Sequence, residues 1–365
     1  MRVLSAHMGE AKKITAGALF SGIGGFCRGF AKHGIETRWA VDWDEHASKT
    51  YKRNHANVVH LNADIRDISA NNPSITPVDV LHAGFPCQSF SQAGRRLGFD
   101  DERGQTFFEI IRLVRELGAQ RPKVLVLENS PFLRLGNGGE WYLRVQNEVR
   151  KAGYWFSESN AQVLSTFDHT NLPQKRSRLF MIAWSTEHFW DGSFRWPTPL
   201  ASTSKSLGGF VGFDDNVSED YYLPRDNKYY KMIKGLRTED HEIYQLRKYI
   251  VRPKVKGVCP TLTANMGKGG HNVPFVFTPN GLRKLTETEC ARLQGFDESF
   301  VFPDDVPRHS RYTQIGNSVA PPIAEVIAKA IVRKMNGDSV VDRADENDED
   351  RVRVHEELQQ HVARP

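Results

Sequence analysis

At 365 residues, 39% hydrophobic and 25% charged, the chain has the composition of a globular protein and the length for one large domain or two modest ones. No apolar run reaches the roughly 18–20 residues of a membrane span, and Met1 to Lys13 lacks the apolar region of a secretion signal, so a cytoplasmic location is expected. The net charge of +5 is uneven: residues 336–365 hold nine Asp/Glu against four Lys/Arg, leaving the body with 45 Lys/Arg against 35 Asp/Glu, a balance that suits a polyanionic partner without identifying one.

Strand and helix patterns alternate through the first half. Ile14 to Phe20 reads as a buried strand, followed by Gly22-Ile23-Gly24-Gly25 and a helix from about Phe26 to Lys32 that stops at Gly34. Thr37 to Trp43 alternates as a strand, and Glu45 to Asn54 forms the next helix. Val78 to Ala83 is a short apolar run leading into Pro86-Cys87. Thr106 to Leu117 sets Phe107, Ile110, Ile111, Val114 and Leu117 on one helical face, with Gly118 as its stop. Lys123 to Leu127 is nearly all apolar, as a strand covered on both faces should be. Repeated units of this kind predict a doubly wound, Rossmann-like α/β sheet.

After Trp184 the rhythm breaks, and the stretch to about Pro274 is rich in Gly, Pro, Ser and Tyr. Between Arg225 and Lys256 it holds ten Lys/Arg against four Asp/Glu, interleaved with Tyr229, Tyr230, Tyr244 and Tyr249. A second, smaller and irregular domain is expected there. Helical character returns from Pro322 to Met335, and the acidic tail beyond Gly337 reads as a solvated, disordered appendage.

Phe20-Ser21-Gly22-Ile23-Gly24-Gly25 lies between a strand and a helix, where glycines let the backbone approach a ligand. About twenty residues on, Asp42 ends the second strand, the usual place for an acid that accepts bonds from ribose hydroxyls, and Trp43 beside it offers a flat face to an adenine ring. This is not a true Gly-x-Gly-x-x-Gly, so nucleoside binding and a merely tight turn both fit.

Gly84-Phe85-Pro86-Cys87-Gln88-Ser89 follows the end of a parallel strand, the edge at which open α/β sheets bind ligands. A cysteine in such a loop can act as a nucleophile if its pKa falls from about 8.5; a lone cysteine is more often a small buried apolar residue. Glu128 and Asn129 end another strand, and if the two strands are neighbours Glu128 projects beside Cys87, where a shielded carboxyl can donate a proton. Cys27, Cys259 and Cys290 read as reduced structural thiols, and neither the cysteines nor His33, His169 and His271 show metal-ligand spacing.

Together these segments resemble the DNA cytosine-5 methyltransferases of bacterial restriction-modification type. The matches, in order, are residues 18–25 (Ala-Leu-Phe-Ser-Gly-Ile-Gly-Gly), 84–91 (Gly-Phe-Pro-Cys-Gln-Ser-Phe-Ser), 103–108 (Arg-Gly-Gln-Thr-Phe-Phe), 127–129 (Leu-Glu-Asn), 174–178 (Gln-Lys-Arg-Ser-Arg), 283–296 (Arg-Lys-Leu-Thr-Glu-Thr-Glu-Cys-Ala-Arg-Leu-Gln-Gly-Phe) and 314–319 (Gln-Ile-Gly-Asn-Ser-Val). The resemblance implies an N-terminal extension over 1–13, a catalytic domain over 14–184, a small domain with target recognition over 185–310, a segment returning to the catalytic domain over 311–335, and a tail over 336–365.

It also implies the chemistry. Cys87 would attack C6 of a flipped-out cytosine, Glu128 would contact N3 and the exocyclic amine, and Arg178 would bond the base O2 with Arg176 supporting it. Phe20, Gly22, Gly24, Asp42, Trp43, Asp64, Ile65, Pro86, Asn317 and Ser318 match positions that surround S-adenosylmethionine in that family. Two departures stand out. Ser130 follows Glu128-Asn129 where valine is usual, and the second-strand acid is Asp42 rather than the commoner Glu. Neither removes a group the chemistry needs.

The implied partner is double-stranded DNA, with a cognate restriction endonuclease acting separately and the protein itself a monomer. Lys228-Tyr-Tyr-Lys231, Arg247-Lys-Tyr249 and Arg252-Pro-Lys-Val-Lys256 are candidate phosphate contacts, or simply a solvated basic surface. A tRNA cytosine-5 methyltransferase on the same fold would carry a Cys-Phe-Thr motif, which this sequence lacks; a non-catalytic DNA-binding regulator would be expected to have lost Cys87, Glu128 or Arg178, and all three are present.

Overall fold

The computed structural model describes residues 13–86, 102–201, 205–213, 217–267 and 271–337. It divides into two compact units, residues 1–332 and 333–365; of the second only 333–337 are described, so the tail predicted from 336 onward lies almost wholly outside the described residues, as does most of the 1–13 extension.

The first unit is built on a large sheet. Its strands are β1 (Ile14–Leu19), β2 (Ile35–Asp42), β3 (Val59–Asn62), β4 (Val80–Gly84), β5 (Val124–Asn129), β6 (Tyr154–Trp155), β7 (Ala161–Ser165) and β8 (Ser177–Ser185). The order is β3-β2-β1-β4-β5-β8-β6, with β7 also paired to β8. β1 to β5 run parallel, and β8 is antiparallel to β5, β6 and β7. Chain order reverses beside β1, so the crevice at the carboxyl ends of β1 and β4 is the topological switch point of the sheet.

Helices α1 (Gly25–Ala31), α2 (Glu45–Asn54), α3 (Glu102–Glu116), α4 (Phe132–Leu135), α5 (Glu140–Lys151) and α6 (Thr166–His169) connect these strands. The apolar face predicted for α3 is buried: Phe107, Ile110, Ile111, Val114 and Leu117 join Leu81, Leu125, Val145 and Met181 in one core. Each such side chain contributes about 1.5–3 kcal/mol on burial, which is why α3 holds its place. Asp44 caps α2, its carboxylate accepting from the Ala47 N–H at 2.7 Å.

The region expected to be irregular is so only in its first part. After α7 (Lys228–Lys234) comes an antiparallel sheet of β9 (His241–Arg247), β10 (Ile250–Val255), β11 (His271–Thr278) and β12 (Gly281–Lys284), ordered β10-β9-β11-β12. Pro253 and Pro274 lie inside two of these strands, and β9 is buried on both faces over Ile243–Leu246, so neither alternation nor composition marks them.

Three helices follow: α8 (Glu287–Gln294), α9 (Arg308–Asn317) and α10 (Pro321–Met335). Against the sequence expectation, the stretch Arg308–Met335 is long and apolar enough to match a membrane span in composition. It is nonetheless broken between α9 and α10, and Ile323, Ala324, Ile327, Ala328 and Ile331 are buried in the protein. The start of α10 packs on α1, where a Cβ on Gly25 would lie 2.0 Å from the Val319 carbonyl oxygen and one on Gly29 2.3 Å from that of Pro321. Two glycines one helical turn apart thus admit the returning backbone.

A buried ion pair anchors the second sheet to α8. The fully buried Arg283 guanidinium holds both Glu289 carboxylate oxygens at 2.7 and 2.8 Å. Glu289 also accepts from the Gly212 and Thr286 N–H groups and closes a capping box with Thr286. Arg283→Met should strand that carboxylate and cost about 3–5 kcal/mol, with Arg283→Met/Glu289→Leu recovering part of the loss. Urea unfolding measures both, and a single variant as stable as wild type would contradict the assignment.

Candidate active site

Two groups of residues flank the switch point. On the β1 side, Phe20 leaves the strand with φ 52° and Gly22 and Gly24 follow with φ 54° and 85°. A bulky residue in the left-handed region is costly, and such backbone is kept mostly where a ligand site needs it. A Cβ on Gly22 would meet nothing within 4 Å, so the loop is open there, while one on Gly24 would strike the His55 ring.

Asp42 ends β2 beside this loop. Its carboxylate accepts from the Gly22 N–H at 2.7 Å and the Asp44 N–H at 2.9 Å. Burial nevertheless pushes its pKa up to about 6, the backbone hydrogen bonds opposing. Trp43, next in the chain, is 73% exposed. Asn62 holds the carbonyls of both residues from β3 at 3.1 Å. Asp64 caps the turn at Ile65–Asp67 and pairs with Arg66, and Ile65 is buried beneath it. The loops after β1, β2 and β3 therefore form one row.

On the other side, β4 and β5 are in register with Gly84 opposite Glu128. The Asn129 side chain donates to the Phe85 carbonyl at 3.1 Å, fixing the departure of the chain from β4. Phe85 is buried and Pro86 half-buried; Cys87 and residues 88–101 lie outside the described residues. Glu128 is 8% exposed, and its carboxylate is 3.1 Å from Arg178 Nε. Burial raises its pKa, opposed by Arg178 and Arg176. Arg178 stands two residues before Phe180, the partner of Glu128 on β8, and so shares its face.

Arg176 is placed differently from Arg178. Only 2% exposed, it donates to the carbonyls of Leu262 at 2.9 Å, Gly316 at 2.9 Å and Ser318 at 2.8 Å. Ser318 is buried with its hydroxyl against Gly25, and Asn317 beside it is exposed. Gln174 and Gln294, which the sequence reading gave no role, complete the cluster. Gln174 bonds the Leu293 carbonyl, the Gln294 side chain and the Leu262 N–H, and Gln294 reaches the Ser318 carbonyl at 2.7 Å. Both lie in the segments that carry the family resemblance, 174–178 and 283–296, but nothing in Leu-Pro-Gln174 or Leu-Gln294-Gly shows that the two carboxamides meet.

The sequence matches the family of C-5 cytosine-specific DNA methylases over residues 14–333. The chain belongs to that family. The methylase is 39% identical over 322 residues to the Type II methyltransferase M.Bsp6I of Bacillus sp. (strain RFL6), covering 87% of this chain and 98% of that one. It is 32% identical over 340 residues to M.HhaI of Haemophilus parahaemolyticus, covering 87% and 94%. Among solved structures it is similar in fold to the S. pombe Dnmt2 methyltransferase, with TM-score 0.68, 20% identity and coverage of 88% and 99%. The Entamoeba histolytica methyltransferase EhMeth follows with TM-score 0.67, 18% identity and coverage of 89% and 99%.

In this methylase the described cysteines, Cys27, Cys259 and Cys290, are free and buried, and burial raises all three thiols. His169 bonds the Ser165 carbonyl at 3.0 Å and His33 lies 3.9 Å from Glu325; the His271 side chain is outside the described residues.

The state of Asp42 gives a test on the ligand-free methylase. Because its folded pKa is raised to about 6 from 3.8, its share of stability is fully present below pH 3.8 and is lost as pH rises through 6. Asp42→Asn should therefore gain on the order of 1–3 kcal/mol relative to wild type at pH 8, an advantage that shrinks at pH 4. Denaturant unfolding at both pH values measures it, and a pH-independent difference would rule the raised pKa out.

Proposed function

We propose that this methylase transfers a methyl group from S-adenosylmethionine to C5 of a cytosine in double-stranded DNA through a covalent bond from Cys87 to C6. The observation that carries the reading is the Glu128–Arg178 pair: a buried carboxyl at the switch-point edge, opposite Gly84, which precedes Cys87 by three residues in the sequence.

Phe20, Gly22, Gly24, Asp42, Trp43, Asp64, Ile65, Pro86, Asn317 and Ser318 would hold the cofactor. The open side of Gly22, the buried carboxylate of Asp42 and the exposed indole of Trp43 fit a nucleoside. A ribose hydroxyl donating to Asp42 would favour its ionised form and relieve the cost of burying it. When bound, S-adenosylmethionine supplies an electrophilic methyl group.

The protein's part is to activate the ring. The Cys87 sulfur adds to C6 while Glu128, its proton affinity raised by burial, donates to N3, so the electron pair of the 5,6-double bond becomes available at C5. Arg178 holds Glu128 and reaches the base O2, and Arg176 fixes the backbone around it. After C5 is methylated, N3 returns its proton to Glu128 and C5 loses its own to solvent, the 5,6-double bond re-forms and the S–C6 bond breaks, returning the thiolate. A cytosine stacked in a duplex cannot meet a carboxyl as buried as Glu128, so the base has to be turned out of the helix.

The body over 14–184 with 311–335 acts as the catalytic domain and 185–310 as the recognition domain, with DNA between them. The protein works as a cytoplasmic monomer and protects DNA from a separately acting restriction endonuclease. Radiolabelled methyl transfer to DNA tests the reading, with wild type active, Cys87→Ser at background and Glu128→Gln lower in kcat by about 100-fold or more. DNA containing 5-fluorocytosine should trap wild type and not Cys87→Ser. Full activity in Cys87→Ser would sink the covalent route, and wild type inactive on DNA would sink the whole reading.

A further inference from the structure

The two faces of the small sheet differ in charge. Register pairs Ile250 with Arg247, Arg252 with Gln245 and Lys254 with Ile243, so these six side chains share one face. The opposite face carries Tyr244, Leu246, Val251, Val273 and Phe275, covered by Ile233 and Tyr229 of α7. Of the basic groups noted in the sequence, Lys228 and Lys231 ride on α7 and belong to that covered side; Lys228 lies 4.9 Å from the ring of its neighbour Tyr229. Arg247, Arg252 and Lys254 remain on the other face.

Lys175, from the strand-joining segment of the large sheet, meets them there. Its N–H neighbour bonds place it beside Cys259, to whose carbonyl its backbone donates at 2.8 Å. Lys254 is half-buried, and its pKa is lowered by that burial and then by Arg252, Lys175 and Arg247. Arg247, Arg252 and Lys175 are exposed, and none of the four makes an ion pair with a carboxylate among the described residues. The contrast is plain elsewhere on the surface, where Lys49 and Arg112 each hold two carboxylates. Four like charges drawn together with no carboxylate paired to them among the described residues repel, and such an arrangement is relieved by an anion with several charges in a row.

We infer that Lys175, Arg247, Arg252 and Lys254 form a phosphate clamp joining the large and small sheets, which grips the backbone of the DNA substrate. Ile250, 61% exposed on the same face, and Tyr249, 76% exposed at the hairpin tip, lie beside the clamp. The inference rests on DNA being the substrate, and it assigns the grip to one face of the small sheet rather than to its basic residues at large.

Anisotropy of a fluorescein-labelled duplex of arbitrary sequence, titrated over a range of KCl, tests it. Each of Lys175→Gln, Arg247→Gln, Arg252→Gln and Lys254→Gln should lower the slope of log affinity against log salt by about 0.9. Arg252→Lys should restore it, and Lys228→Gln/Lys231→Gln should leave it at the wild-type value. Thermal melting checks that the variants are folded. Wild-type slopes in all four variants, or an equal loss in the Lys228/Lys231 pair, would overturn the clamp. Wild type that methylates DNA while the clamp variants keep its slope separates that failure from a failure of the enzymatic reading.

Discussion

A single buried guanidinium holds the active edge of this protein together. Arg176 has almost no access to water, and a charge in that position costs several kcal/mol unless its hydrogen bonds are supplied. The carbonyls of Leu262, Gly316 and Ser318 supply them, so two pieces of backbone far from the arginine in the chain must converge on it before it is satisfied. Gln174 and Gln294 extend the same requirement to the end of α8. The result is a fixed wall against which Gly25 and the loop after β1 can rest.

Two carboxyls on either side of that wall share one physical condition and serve different ends. Asp42 and Glu128 are both buried, and burial favours the protonated form of each. Among the described residues Asp42 accepts from backbone N–H groups and has no cation paired to it, which suits an acceptor for neutral hydroxyls. Glu128 faces Arg178, which steadies its position; in the proposed reaction it would be the proton donor. The sheet sets this difference, because the two residues end strands on opposite sides of the point where the chain order reverses.

Much of this was legible in the sequence, for local reasons. α2 was read at its observed limits, Glu45 to Asn54, and β1, β2 and α1 within one to two residues, because glycines and an N-cap aspartate punctuate them. The sequence leaves open whether the strand of Glu128 and the strand leading to Cys87 are neighbours, and the register of β4 on β5 shows that they are. The second region is separate in the sequence, but its sheet is not legible there: prolines inside β10 and β11 and burial of β9 on both faces hide strands that need distant partners. The anchoring roles of Gln174, Gln294 and the three carbonyls on Arg176 were equally hidden, since backbone acceptors leave no mark in composition. Grouping the basic residues by sequence also merged two faces that the sheet keeps apart.

The distances along the chain that Arg176 spans bear on how the protein is made. Its acceptors Gly316 and Ser318 follow it by 140 and 142 residues. At roughly 5–20 residues per second on the ribosome, that interval is about 7–30 s. Once β8 has followed, within the first few residues of that interval, every strand of the large sheet has been synthesised, yet the wall behind the loop after β1 is missing and a cation waits without its last ligands. The emerging chain is then a sheet with an unfinished edge, most exposed to misassembly during those seconds and closed only when α10 arrives to pack on the first helix made.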